Sequence, residues 1–194
     1  NGKFIHISTD YVFDGKSSKP YKESDKVSPI GVYGETKRAG ELVVINSNID
    51  SIIIRTSWLY SSFGNNFVKT MLRMGCEKDS LNIICDQIGT PTYAKDLAKA
   101  CLEILSKADY VSKKGKVYHY SNEGVSSWYD FAISIMQLGG FQCKVNPIYS
   151  KDYPTLAKRP KYSVLNKTKI KKDFKIEIPY WKDSLKNCIK LLKQ

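Results

Sequence analysis

Residues 3–15 read KFIHISTDYVFDG and residues 29–41 read PIGVYGETKRAGE, with a polar segment between them. The first segment opens with alternating β-branched residues, which predict a strand that ends at Thr9. The second segment begins with a proline and predicts a helix over about residues 31–47. The stretch therefore predicts a strand, an exposed loop and a helix in succession, which is the start of an α/β unit.

Strands and helices are predicted to alternate along the rest of the chain. Further strands are expected over residues 51–55, 81–84, 117–120 and 145–149. Further helices are expected over residues 66–74, 94–105, 127–138 and 182–192. This alternation indicates an α/β fold with a mostly parallel sheet. In the first helix we expect the apolar residues to form the buried side; they are Val32, Leu42, Val43 and Ile45.

Composition limits the classes of partner. The chain has 194 residues, of which 42% are hydrophobic, and no apolar run approaches the ~20 residues of a membrane span. The net charge is +12, but the basic residues are mostly lysines spread along the sequence, without a nucleic-acid recognition motif. We therefore expect no membrane and no nucleic acid as partners, and a positive field that suits a nucleotide diphosphate.

The cysteines favour a cytoplasmic protein. There are five of them, an odd number, and no CxxC pair occurs among them. Such a pattern is typical of reduced thiols rather than of a disulfide framework. With only two histidines in the chain, we expect no metal site.

Tyr33 and Lys37 lie one helical turn apart on one face of the first predicted helix. An ammonium near a phenol favours the phenolate, so such a tyrosine can exchange a proton as a general acid. The spacing alone is weak evidence, because chance predicts about two such pairs in a chain of this composition. A second pair, Tyr110 and Lys114, is interpreted as surface. Only the first pair follows a strand that ends in a hydroxyl, at Thr9.

Eight motifs occur in order along the chain, and together they carry a resemblance to a known family. They are STDYVFDG (8–15), PxxxYGxTKxxGE (29–41), RTSWLY (55–60), GNNFVKTMLRM (64–74), DQIGTPTYAKDLA (86–98), YHYSNEGVSSWYDFA (118–132), RPKYSVL (159–165) and WKDSLKN (181–187). The set resembles the extended short-chain dehydrogenase/reductases, and within them the reductases of dTDP-4-dehydrorhamnose.

The resemblance implies a fold and an activity. The fold would be a partial Rossmann-like, doubly wound parallel sheet over residues 1–140, with lobe insertions, and a smaller substrate-binding lobe mainly over residues 141–194. The activity would be the reduction of the 4-keto group of dTDP-4-dehydro-6-deoxy-L-mannose to dTDP-L-rhamnose by NADPH or NADH. The resemblance leaves the oligomeric state open, with a homodimer as one of the options.

The resemblance also implies roles for single residues. Tyr33 would donate the proton, Lys37 would bind the nicotinamide ribose, and Thr9 would assist the tyrosine. The backbone of Ile7 and Ser8 would pass close to the cofactor. Contacts to the dTDP-sugar would come from Thr9, Asp10, Tyr11, Trp58, Asn65, Asn66, Gln87 and Arg159.

Each of these substrate contacts also has a purely structural interpretation. Asp10 could cap a turn, and Asn65 or Asn66 could cap the helix that follows them. Tyr11 and Trp58 could be ordinary core aromatics. Arg159, next to a proline, could be a surface residue.

One family feature is missing. Neither GxGxxG nor GxxGxxG occurs in the sequence, although a glycine-rich turn normally binds the cofactor pyrophosphate. We therefore expect the chain to be the later part of a longer protein and not to turn over substrate alone, and NAD cannot be told from NADP. Two alternatives stay open: a non-catalytic relative, similar to the β subunit of methionine adenosyltransferase, and another nucleotide-sugar reductase or epimerase.

Overall fold

The computed structural model describes residues 2–47, 49–107, 115–153, 155 and 158–193. The strands are β1 (Phe4–Thr9), β2 (Ser51–Thr56), β3 (Leu59–Tyr60), β4 (Ser80–Ile84), β5 (Ile88–Gly89), β6 (Thr92–Tyr93), β7 (Lys116–His119), β8 (Ser126–Ser127) and β9 (Lys144–Ile148). The helices are α1 (Val32–Asn46), α2 (Phe67–Glu77), α3 (Ala94–Ser106), α4 (Trp128–Gly139), α5 (Thr168–Phe174) and α6 (Trp181–Leu192). All the long predicted elements are confirmed, within three residues at each end.

A parallel sheet with the strand order β1-β2-β7 holds the centre of the fold. Ser8 of β1 lies beside Arg55 of β2, and Thr9 lies beside Thr56. Since all three strands run in the same direction, their carboxyl ends meet at one edge, which is where ligands bind in open α/β sheets. Thr9 therefore stands at the functional edge of the sheet.

Helices cover both faces of this sheet. On one face Ile52 and Ile54 of β2 pack with Leu97 and Ile104 of α3 in one apolar cluster. On the opposite face, to which alternate side chains of a strand point, Arg55 reaches α1 and binds Glu41. This two-sided packing confirms the expected Rossmann-like, doubly wound α/β fold.

A second apolar cluster lies around the parallel pair β4 and β9. Helices α2, α4 and α6 supply most of it, and Phe131, Trp181 and Leu185 are among its buried residues. Its members come from both sides of residue 140 in sequence. The expected boundary near that residue stays a prediction.

The predicted buried side of α1 is wrong. Val32 and Val43 are 74% and 70% exposed, and Leu42 and Ile45 are also exposed. The helix instead buries Gly34, Glu41 and Val44. The periodicity of α1 alone could not identify this face, because only one apolar side chain, Val44, lies on it beside Gly34 and the polar Glu41.

Helix α5 was not predicted, since its sequence TKIKKDF places only Ile170 and Phe174 among polar residues, and these two are the ones it buries.

The pair Tyr110 and Lys114 lies outside the described residues. In the described part of the chain, no helix has the length and apolar character of a bilayer span.

Candidate active site

The carboxyl end of β1 passes directly into a short 3-10 helix over Asp10–Val12. The Thr9 side chain caps this turn, since its hydroxyl oxygen accepts a hydrogen bond from the backbone N–H of Tyr11 at 3.2 Å. The same hydroxyl donates to Oδ1 of Asp10 at 3.0 Å. Thr9 and Asp10 are both buried. The strand end thus carries a hydroxyl and a carboxyl group in direct contact.

Burial changes the acidity of the two residues that follow Thr9. It raises the pKa of Asp10 to about 7, although hydrogen bonds from the Ser163 and Thr9 hydroxyls oppose the change. It also raises the pKa of Tyr11 to about 12, together with the Asp10 charge and against the charge of Arg159. Asp10 therefore changes its protonation state near neutral pH, whereas Tyr11 stays a neutral phenol.

Helix α1 brings Lys37 and Tyr33 to the same strand. The Lys37 ammonium donates to the carbonyl oxygen of Ile7 at 2.6 Å. Tyr33, one turn earlier, is 57% exposed, and its ring meets the Tyr11 ring edge-on with 5.9 Å between centroids. The structure therefore brings the predicted proton donor next to one of the predicted sugar contacts.

Gly34 allows α1 to approach the turn this closely. A Cβ atom at this position would lie 2.2 Å from the carbonyl oxygen of Tyr11, far inside van der Waals contact. Any side chain here would separate the helix from the strand end. The glycine that follows Tyr33 in the sequence is thus a steric requirement of the site.

A buried ion pair holds the other side of the strand end. The Glu41 carboxylate accepts hydrogen bonds from Ser8 Oγ at 2.6 Å and from Arg55 Nε and Nη2, each at 2.8 Å. Burial alone would raise the pKa of Glu41, but the hydrogen bonds and charge of Arg55 outweigh it and lower that pKa. The Ser8 side chain thus binds α1.

Tyr33 stands in the wall of a cavity of about 460 Å³. The residues that line it are Tyr11, Ile30, Gly31, Val32, Tyr33, Gly34 and Lys158. The exposed Tyr33 phenol, Lys158 and the space beside them form a site that can admit an anionic ligand with a reacting oxygen near Tyr33.

A second cleft of about 320 Å³ lies at α2, β4 and the start of α4. Apolar side chains such as Phe67 and Met71 line it together with Trp128, and Arg159 adds a positive charge. Trp58 stacks directly on Trp128, with 3.7 Å between ring centroids. Lys158 lines the first cavity and Arg159 lines the second. Each cavity thus has one of two consecutive basic residues in its wall.

Two of the remaining predicted contacts, Asn66 and Gln87, have structural partners. The Asn66 side chain caps α2 by accepting from the backbone N–H of Lys69 at 3.2 Å, and it donates to the carbonyl oxygen of Ser61 at 2.7 Å. Asn65 is exposed just before this cap. Gln87 is buried and donates to Ser150 Oγ at 3.0 Å. The helix-cap interpretation is thus realised at Asn66.

Three residues of these cavities and contacts were not singled out from the sequence. Lys158 precedes Arg159 in the RPKYSVL region, so proximity to a candidate was its only signal. Trp128 lies inside the motif YHYSNEGVSSWYDFA, but nothing in the sequence pairs it with Trp58. Glu41 closes the motif that contains Tyr33, and an acidic side chain gives no sequence signal that it will be buried in an ion pair.

Comparisons with known proteins agree with this fold. The family model described as the RmlD substrate binding domain matches residues 1–194. A dTDP-4-dehydrorhamnose reductase of Aggregatibacter actinomycetemcomitans is 45% identical, over 96% of this chain and 66% of the relative. A solved dTDP-4-dehydrorhamnose reductase of Clostridium acetobutylicum superposes with a TM-score of 0.91 at 43% identity, covering 98% of this chain and 66% of that one.

A second solved reductase of the same name, from Bacillus anthracis in complex with NADP, has a TM-score of 0.90 at 36% identity, and covers 96% of this chain and 65% of that one. The chain thus spans slightly less than two thirds of the length of these relatives. Because the family model covers the whole chain, the family is established: the chain belongs to the RmlD substrate binding domain family.

Proposed function

We propose that this chain supplies the proton-transfer and sugar-binding part of an NADPH- or NADH-dependent reductase of dTDP-4-dehydro-6-deoxy-L-mannose, which forms dTDP-L-rhamnose. The observation that carries the proposal is the exposed Tyr33 phenol in the wall of a cavity, one turn from Lys37, at the carboxyl end of β1. The names of the relatives support the substrate, and NADP bound to one of them supports the cofactor.

The residues of the chain fit part of a nicotinamide site. Lys37 already bridges α1 to the Ile7 carbonyl, so its ammonium stands where the chain leaves the sheet. Tyr33 and Lys37 would hold the nicotinamide ribose, and the backbone of Ile7 and Ser8 would lie beside it. When bound, the nicotinamide supplies a hydride to C4 of the sugar. The glycine-rich fingerprint does not occur in the sequence, so the proposal concerns these contacts alone.

Tyr33 is the proton donor in this proposal. Its phenol O–H donates to the 4-keto oxygen as the hydride arrives at C4, so that a hydroxyl forms and the tyrosine is left as the phenolate. Lys37 stabilises that phenolate by its positive charge. A proton from solvent restores the phenol, which the exposure of Tyr33 permits.

Thr9 orients the ketone through its contact with Asp10. When Asp10 is ionised, the Thr9 hydroxyl donates to the carboxylate, as in the structure. When Asp10 is protonated, its carboxyl O–H can donate instead, and the Thr9 hydroxyl is released to donate to the 4-keto oxygen. The raised pKa of Asp10, about 7, makes both states accessible near neutral pH.

The sugar and the nucleotide occupy two neighbouring regions in this proposal. Trp58 packs against the deoxysugar ring, and the apolar cleft beside Arg159 receives the nucleotide. Lys158 and Arg159 face the diphosphate between them. Charge-assisted hydrogen bonds of this kind are among the stronger ones in proteins. Further contacts to the dTDP-sugar are proposed for Asn65, Asn66 and Gln87. The side chain of Asn66 already caps α2.

The test is the Tyr33→Phe variant in the protein expressed from the whole reading frame that contains this sequence. We expect turnover of the keto-sugar to fall by about 10²–10⁴, the usual share of general acid catalysis, with cofactor binding nearly unchanged. Tyr180→Phe, at a comparably exposed tyrosine, is the control and should retain full turnover. Unchanged turnover in Tyr33→Phe would remove Tyr33 from the mechanism.

A further inference from the structure

Trp58 has an unusual backbone conformation. Its φ is +46°, in the left-handed region that residues other than glycine rarely adopt. The neighbouring backbone helps to hold it, since the N–H of Thr92 donates to the Trp58 carbonyl oxygen at 3.1 Å. A strained residue persists only when its surroundings determine its conformation, and such residues are concentrated at functional sites. The surroundings of the Trp58 side chain are therefore informative.

Gly89, on a strand, and Trp128, just after the paired strand, contact the Trp58 indole. Gly89 of β5 pairs with Ser126 of β8, and Trp128 follows β8 directly. A Cβ atom at Gly89 would lie 2.6 Å from Cε2 of Trp58, so the indole rests against bare backbone there. The Trp128 ring stacks on the same indole with an interplanar angle of 8°. The two contacts thus come from one small antiparallel ladder and from the residue that follows it.

Trp128 is itself firmly held. It is the first residue of α4, immediately after a capping box in which Ser127 Oγ accepts from the Asp130 N–H at 3.0 Å and Asp130 Oδ2 accepts from the Ser127 N–H at 3.1 Å. Its ring also packs against Phe67, with 4.7 Å between centroids. Trp58 therefore stacks on a ring whose own orientation is fixed by the start of α4 and by the second apolar cluster.

We propose that Trp128 is the positioning residue for Trp58: with Gly89, it holds the Trp58 indole in the one orientation that meets the sugar ring of a nucleotide-linked deoxysugar. The proposal rests on the proposed function, to which it adds the residues that set recognition of the sugar. Because the indole is already immobilised, less side-chain entropy is lost when the sugar binds. Trp128 thereby acts through Trp58.

The first test uses the protein expressed from the whole reading frame that contains this sequence, with two probes, dTDP-L-rhamnose and dTDP, titrated calorimetrically. The readout is the ratio of their affinities, which isolates the contribution of the sugar. Trp58→Leu and Trp128→Leu should each lower this ratio by about 2- to 10-fold, the size of one aromatic stacking pair. Trp128→Phe, which restores a flat ring, should recover most of the loss.

The double variant Trp58→Leu/Trp128→Leu decides between positioning and an independent contact. If Trp128 acts through Trp58, the double variant should lose no more of the ratio than Trp58→Leu alone, since removal of Trp58 leaves nothing to position. Losses that multiply in the double variant would overturn the proposal. An unchanged ratio in Trp128→Leu would do the same.

A second test needs no ligand. Two indoles stacked at this distance couple their electronic transitions, so the unsubstituted protein from the whole reading frame should give an exciton couplet in circular dichroism. Trp58→Phe and Trp128→Phe should each abolish the couplet, Trp181→Phe should keep it, and Gly89→Ala should weaken it by displacing Trp58. A couplet that Gly89→Ala leaves intact contradicts the proposal. Failure of both nucleotides to bind the unsubstituted protein from the whole reading frame would instead contradict the proposed function, and the couplet separates the two results.

Discussion

Glu41 and Arg55 form a bidentate ion pair in which neither side chain is more than 2% exposed and both N–O distances are 2.8 Å. The pair joins α1, which carries Tyr33 and Lys37, to the centre of the sheet. Ser8, the cross-strand neighbour of Arg55, donates to the same carboxylate. The residue just before Thr9 is thereby tied to the helix that carries the proposed proton donor.

We expect Glu41→Gln to lower the free energy of unfolding by about 3–5 kcal/mol, because it leaves the buried Arg55 guanidinium without a counter-charge. Urea denaturation measures the change. The exposed pair Arg73–Glu77, at 3.4 Å, is the control: Glu77→Gln should cost less than about 1 kcal/mol. Equal costs for the two variants would show that burial does not determine the strength of the Glu41 pair.

Gly34→Ala should destabilise the fold by about 1–3 kcal/mol, the usual cost of overpacking, because its Cβ would collide with the Tyr11 carbonyl oxygen. Gly40→Ala is the matched control in the same helix. There the added Cβ would lie 3.4 Å from the His6 ring, so helix propensity should dominate and stabilise by up to about 1 kcal/mol. Thermal unfolding of both variants tests the opposite signs.

Asp10 should give the stability of the protein an unusual pH dependence. The pKa of a free aspartate, which stands for the unfolded state, is 3.8, and burial raises the pKa of Asp10 in the folded protein to about 7. Between these values the folded state holds a proton that the unfolded state has released, so this contribution to stability falls as pH rises through the window and is lost above it. As pH rises from about 5 to about 8, the unfolding free energy of Asp10→Asn should therefore rise by about 2–3 kcal/mol relative to that of the unsubstituted protein.

Denaturant titrations at the two pH values measure this gain. Asp14 is the control, because the hydrogen bond from the Lys16 N–H lowers its pKa and the group stays ionised at both. Asp14→Asn should thus show the same difference from the unsubstituted protein at either pH. A pH-independent effect of Asp10→Asn would mean that the buried carboxyl does not titrate in this range.

Thr9→Val should lower kcat for the keto-sugar by about 10²–10³, the loss typical for one hydrogen-bond donor to a reacting oxygen. Thr9→Ser should keep most of the activity, since it retains the hydroxyl. Thr56→Val is the matched control: Thr56 is the cross-strand partner of Thr9, and its hydroxyl has no hydrogen-bond partner within the described residues. Steady-state kinetics on the protein from the whole reading frame would separate these outcomes.

Much of the fold could be predicted from the sequence, because the signals for its long elements are local. The β-branched run before Thr9, the SIIIR strand and the periodic apolar residues of α6 each determine one element. Helix α5 was missed because two apolar side chains among lysines carry no clear period. The buried face of α1 was misassigned because the polar side chains of Glu41 and Lys37 bind the sheet, and Val44 is the apolar side chain that the helix buries.

The candidate site divides in the same way. The sequence by itself determined the order of the elements and the position of Thr9, Tyr33 and Lys37 on a strand end and a helix face, since period and spacing are properties of a short segment. Only the tertiary structure decided that Trp128 stacks on Trp58, that Lys158 lines the same cavity as Tyr33 and that Glu41 is buried against Arg55. These contacts join residues far apart in sequence, and their geometry follows from how helices pack on the sheet, which no local pattern contains.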